Sequence, residues 1–259
     1  PGFGVQLSLE QICDWEFVIG VLERQEPWWE PGTISHYHAL TQGFLVGEVV
    51  RRITGDTLGA FLREEITGPL GADFHLGVDP QEFPRVAQMV VFPPSPDGAE
   101  RKRPVAEVPE YLQSRIDGTP SCMPAETNSF LWRTAEVPGG NGHGNARSVA
   151  RVSSLIANNG EVDGIRLLSE AGVERLFEPQ AMMGDTLVGM GFGLNSEQWG
   201  GPEGAKACWW GGAGGSTNYA DLSNRVSLSY VMNQMNYDIV GGPRGKALHK
   251  CFYDVLLTR

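Results

Sequence analysis

The order of apolar and polar residues divides the chain into a helical first part and a stranded last part. Residues 7–24 carry Leu9, Ile12, Phe17, Val21 and Leu22 at helical spacing, which predicts one helix with those side chains inward. A loop with Pro27, Trp28, Trp29, Pro31 and Gly32 follows. From His38 to Ile53 the pattern predicts an amphipathic helix. Leu40, Phe44, Leu45 and Val49 would share its inner face, and Gly43 and Gly47 would let a neighbour come close. Gly55 is the expected stop. Leu58, Phe61, Leu62 and Ile66 predict a further helix from Thr57 to Ile66, ended by Gly68 and Pro69.

Residues 92–124 hold seven prolines and no clear periodicity, so a long loop over a cleft is expected there. A helix is predicted over 146–158, with Val149, Val152 and Ile156 inward and Asn159-Gly160 as its stop. Another is predicted from Glu170 to Phe177, with Ser169 as N-cap. The period then shortens. Residues 187–194, 206–210, 217–221 and 226–233 read as strands, with a hairpin turn over Leu222–Arg225. Pro243–Leu257 is expected to close the chain as a helix that packs through Ala247, Leu248, Cys251, Phe252, Val255 and Leu256. Helices first, then an antiparallel meander and a terminal helix, indicate an α+β fold. Residues 1–185 would form the mostly helical region, and 186–259 the strands and terminal helix of the same domain.

Composition narrows the function. The chain has 259 residues and a net charge of -11, which argues against a nucleic-acid backbone or an anionic membrane surface as partner. No apolar run approaches the ~18 residues of a membrane span. Cys13, Cys122, Cys208 and Cys251 are far apart, as expected of packed, reduced thiols rather than a disulfide framework or zinc site. No N-x-[ST] sequon occurs, which favours a cytoplasmic setting over a secreted one. The chain opens on Pro1 within a PGFG turn, so a fragment or processed product is expected. The composition leaves oligomeric state open.

Two stretches invite chemistry. Cys208–Thr217 reads CWWGGAGGST, with two indoles beside four glycines. It is no P-loop, because no Lys follows the glycines, and no dinucleotide fingerprint; no cofactor is expected. Bare backbone reaching a substrate remains as a reading, beside a plain turn. Tyr37 lies between a Pro-Gly turn and a helix. It is either a packed ring with a satisfied hydroxyl or a base at a cleft edge, and a base of pKa about 10 would need a nearby cation. His36 and His38 lack a third ligand, so no metal is expected. His143, in GGNGHGN, either faces a cleft or is a solvated loop residue.

WEPGTISHYHALTQGFLVGEVVRRITG, then EEITGPLG, NGHGNARSVARVSSLIANNGEVDGIRLLS and WWGGAGGS, together resemble the β-lactamase-related serine hydrolases. That superfamily includes class C β-lactamases, D,D-peptidases and family VIII carboxylesterases. The resemblance covers nearly the whole chain and implies a β-lactamase/transpeptidase-like fold. It implies three catalytic elements: a Ser-x-x-Lys helix, a Tyr-x-Asn motif, and a strand reading Lys/His-x-Gly, or Trp-x-Gly in the esterases. Tyr37-His38-Ala39 is similar to the second, with Tyr37 as the catalytic tyrosine. Trp210-Gly211-Gly212 is similar to the third in its esterase form, with Ala213 as the expected oxyanion donor.

No serine of the chain has Lys three residues later. The resemblance places that motif, with the first helix and strands, N-terminal to Pro1. The chain alone is therefore expected to be inactive. Ala39 stands where Asn would bind a substrate amide, and Trp210 where a cation would pair with a lactam carboxylate. Both departures imply a carboxylesterase acting on a small neutral ester through an acyl-enzyme. Trp28, Trp29, Trp132 and Trp209 are further candidates for an apolar pocket or for core. A non-catalytic scaffold and a β-lactamase or D,D-peptidase are the alternatives.

Overall fold

The computed structural model describes residues 2–90, 126–194, 201–236, 242–256 and 258. The expected proline-rich loop over 92–124, with Cys122, lies outside them. The described residues form two compact units, one of residues 2–65, 74–89 and 126–143, the other of 66–73, 90 and the remainder from 144 onward.

In the first unit, residues 7–24 form two helices instead of one: α1 (Leu9–Ile12) and α2 (Trp15–Arg24). Capping explains the break. Ser8 and Gln11 make a reciprocal capping box on α1, and Asp14 accepts the Phe17 N–H to start α2 afresh. Ile12, Val18 and Ile19 are buried, whereas Phe17, expected inward, is exposed. Helix α3 (Thr41–Thr54) starts three residues later than expected and ends at Gly55, which is left-handed at φ 85°. Its buried face runs through Leu40, Phe44 and Gly47. A Cβ at Gly47 would lie 2.6 Å from the Trp15 ring. Trp15 donates through Nε1 to Glu48, 2.8 Å away.

Leu45 and Val49 are exposed, contrary to expectation. The helix turns inward the side on which glycines permit close approach, and Leu45, Val46, Val49 and Ile53 form an outward apolar stripe. Helix α4 (Leu58–Phe61) continues as a π-helical turn, Leu62–Thr67. With α5 (Phe130–Thr134), the core closes around Phe3, Leu7, Ile12, Val18, Phe44, Trp132 and Val137.

The second unit is a sheet between helices. Helix α6 (Ala146–Ala157) begins at Asn145, whose side chain accepts the Ser148 N–H, and α7 (Glu170–Leu176) begins at Ser169, the expected cap. Residues 161–166 form a hairpin of β1 (Glu161–Val162) and β2 (Ile165–Arg166). Strands β3 (Ala181–Met183) and β4 (Thr186–Val188) form a second hairpin. The meander β5 (Ala207–Gly211), β6 (Thr217–Asp221) and β7 (Val226–Tyr230) is antiparallel throughout. Gly193 bridges both Val188 and Trp209, joining hairpin to meander. The strand expected over 187–194 is thus a short strand plus one bridging residue, and the last strand stops at Tyr230.

Alternation on the pleat sends Cys208 and Ala220 to one face, where they meet Ile156, Ala157 and Val173 of α6 and α7. Ala207, Trp209 and Tyr219 face the other way and pack on Tyr253 of α8 (Gly242–Leu256). This helix is rotated from the expected face. Gly242, Gly245, His249 and Tyr253 are buried, while Ala247, Leu248, Cys251 and Val255 are exposed. The polar pair turns inward because it finds partners there. Tyr253 donates to Asp221 at 2.6 Å, and His249 meets Thr217 at 3.2 Å. Cys251 is accordingly an exposed thiol, unlike Cys208, which burial pushes up to about 12. Among the described residues no helix is long and apolar enough to cross a membrane.

Candidate active site

Tyr37, Ala39, Trp28, Trp29 and His143 lie in the first unit, and Trp210–Ala213 in the second. Tyr37 sits in irregular chain just ahead of α3 and is 41% exposed. Its carbonyl is 3.1 Å from His36 Nδ1, and the His36 ring lies 6.1 Å from that of Trp29. Trp28 is buried and Trp29 half-buried. On the other side of Tyr37, His38 Nδ1 lies 3.1 Å from Thr41 Oγ1 in the first turn of α3. Burial pulls His38 down to about 4, so near neutrality it is an uncharged imidazole joined to the helix start.

The backbone of this wall is held by a stretch 100 residues away. Gly139 lies against Ala39 and Leu40 so closely that a Cβ there would be 2.5 Å from the Ala39 carbonyl oxygen and 2.9 Å from Leu40 Cα. Gly43 faces the same stretch, with a Cβ position 2.7 Å from the Gly139 nitrogen. Asn141, fully buried, fixes the loop from within. Its Oδ1 accepts the Val137 N–H at 2.9 Å, and its Nδ2 donates to the carbonyls of Trp132 at 2.7 Å and Ala135 at 2.6 Å. Gly139→Ala should force the Ala39–Leu40 segment aside. The expected cost exceeds about 1 kcal/mol, read as a lower denaturation midpoint in urea, since the atoms it meets are backbone and cannot rotate away.

His143 is half-buried. Burial lowers its pKa; a hydrogen bond to the Asn141 backbone opposes this, and the charges of Arg133 and His75 add to the lowering. Trp132, one of the possible pocket indoles, belongs to the core of the first unit and Trp209 to that of the second.

In the second unit the CWWGGAGGST stretch is an arm, a turn and a return arm. Gly211 pairs with Thr217, and beyond them the Gly212 N–H donates to the Ser216 carbonyl at 3.0 Å. The Gly215 N–H donates back to the Gly212 carbonyl at 3.1 Å, closing a four-residue turn. Gly214 and Gly215 adopt φ 93° and 109°, values that disfavour any side chain. The turn is also tightly surrounded by side chains: a Cβ at Gly212 would lie 2.5 Å from Ser216 Oγ, and one at Gly214 2.6 Å from Met232. Ala213, second in the turn, is exposed. Among the described residues no backbone carbonyl accepts its N–H. Trp210 is half-buried, with its ring stacked 6.1 Å from Trp209.

Among the described residues no cluster of His, Cys, Asp and Glu is placed to hold a metal. The supporting residues Gly139, Asn141 and Thr217 were not singled out from the sequence. The PGGNG run was a visible signal for the first two, but its partner at Ala39 is too remote in sequence to infer.

Residues 2–247 match the family model described as Beta-lactamase. The chain is 32% identical over 214 residues to the esterase/beta-lactamase LipL of Mycobacterium tuberculosis, covering 78% of this chain and 48% of LipL. It thus spans about half the length of that curated relative. Among solved structures, a family VIII carboxylesterase is 33% identical, with a TM-score of 0.84 over 98% of this chain and 67% of its own. A penicillin-binding protein homologue from Caulobacter crescentus is 30% identical, with a TM-score of 0.82 over 98% of this chain and 67% of its own. The fold is β-lactamase/transpeptidase-like, and the chain belongs to the Beta-lactamase family of hydrolases.

Proposed function

We propose that this chain supplies two walls of a serine carboxylesterase that works through an acyl-enzyme. One observation carries the reading: the turn after Trp210 presents the Ala213 N–H with no backbone acceptor among the described residues. An oxyanion donor has to be free of internal partners and fixed in place before charge develops on the substrate oxygen. The glycines keep side chains away from that N–H, and the chain's likeness to a family VIII carboxylesterase supports the same reading.

The nucleophile is assigned to a Ser-x-x-Lys segment, since no serine within these 259 residues has Lys three positions on. Tyr37 takes the proton from the serine hydroxyl as its oxygen bonds to the ester carbonyl carbon, and returns it to the departing alkoxide. Water then attacks the acyl-enzyme by the same route, releasing the acid. Trp210 offers an indole where an anionic lactam or peptide would need a cation, and Ala39 offers no amide to bind one. A small neutral ester suits both positions. The experiment is to assay the protein carrying this chain on short-chain nitrophenyl esters and on a chromogenic cephalosporin. The esters should show the higher kcat/KM; preference for the cephalosporin would overturn the assignment.

The other reading is a non-catalytic β-lactamase-like scaffold, which holds if the full protein carries no Ser-x-x-Lys pair. A fluorophosphonate probe separates the two, because a scaffold with no activated serine stays unlabelled.

A further inference from the structure

We propose that His249 is a positioning residue for the oxyanion turn, acting through the Thr217 hydroxyl; the inference rests on the esterase reading of that turn. Glycines 212, 214 and 215 leave the turn with almost no side chain of its own to hold it. Its geometry must come from its two ends. The Asn236 N–H donates to the Gly214 carbonyl at 3.0 Å and holds the tip. The base depends on Thr217, which pairs with Gly211 and directly follows Ser216, the acceptor for Gly212.

Thr217 is 3% exposed and His249 2%, and Thr217 Oγ1 lies 3.2 Å from His249 Nε2. A hydrogen bond so buried has no competing water and constrains both partners. The approach is built for it. Gly245, one turn before His249, sits so close that a Cβ would be 2.8 Å from Thr217 Cγ2. The His249 ring stands edge-on to Tyr219, 5.3 Å between centroids, which limits its rotation. A leucine would fill that space without the desolvation that holds the imidazole uncharged. A polar residue in this place fixes the register of α8 against β6, and through Thr217 the base of the turn.

The test compares His249→Ala, His249→Gln and Thr217→Val in the protein carrying this chain, with Ala213→Pro as a control that deletes the turn N–H. Two quantities are read: ester kcat and KM, and amide hydrogen exchange at Gly212–Gly215. A displaced donor should lower kcat about 10-fold or more with KM little changed. Thr217→Val should match His249→Ala, and the double variant should be no worse than either. Gln, whose Nε2 reaches the same point, should restore most of the rate. Exchange at Gly212–Gly215 should quicken in the Ala and Val variants only.

Unchanged exchange and kcat in Thr217→Val would overturn the inference, even if His249→Ala does not fold. A rate loss that Gln fails to restore would also overturn it, showing a purely space-filling role. Normal turnover in Ala213→Pro would instead overturn the esterase reading of the turn. In that event, exchange at Gly212–Gly215 still decides whether His249 orders it.

Discussion

Tyr37→Phe should lower kcat for ester hydrolysis by roughly 10²–10⁴-fold, the range general acid–base catalysis supplies. The substitution removes one oxygen and keeps the ring. KM should change little, because the lost interaction belongs to proton transfer and not to ground-state binding. A burst of nitrophenol locates the defect. If Tyr37 accepts the serine proton, the burst itself slows. If it serves only deacylation, the burst keeps its rate and only the steady state falls. A melting curve of the variant shows that the fold is retained. Near-normal turnover would remove Tyr37 from the mechanism and favour its alternative reading as a packed ring.

Tyr37 was singled out from a local pattern, a Pro-Gly turn followed by a helix start. The strand 217–221 and the Ser169 cap were legible for the same reason, since alternation and capping act over a few residues. Faces of helices were harder. Helix α3 carries apolar residues on both sides, and only the approach of Trp15 and Gly139 to its glycines decides that Phe44 turns in and Val49 out. On α8 the apolar side was expected to pack, yet His249 and Tyr253 are buried because Thr217 and Asp221, each 32 residues earlier, satisfy them. A buried polar side chain is cheap only when its partner is in place, and single-sequence periodicity carries no record of partners. The break at Cys13–Asp14 is a different case. Ser8, Gln11 and Asp14 were readable cap signals, outweighed by the regular apolar spacing around them.

Asn141→Ala is the substitution expected to cost the fold most. It removes three hydrogen bonds, two of them buried, and leaves the Val137 N–H and the carbonyls of Trp132 and Ala135 without their partner. A buried group left unsatisfied costs about 1–3 kcal/mol, so the loss should reach about 4 kcal/mol. At roughly 2–4 °C per kcal/mol for chains of this size, the melting midpoint should drop by about 10 °C. Asn141→Asp is the sharper probe. Asp keeps an acceptor for Val137 but has no amide donor, and it sets carboxyl oxygens against two carbonyl oxygens. It should therefore be no better than Ala despite its near-identical shape. If Asp proved nearly neutral, the Val137 bond alone would be the one that matters. The same loop carries Gly139 against Ala39 and Leu40, so loosening it releases the chain just after Tyr37. Even well below its melting point, Asn141→Ala should lose kcat on esters more steeply than it loses folded protein.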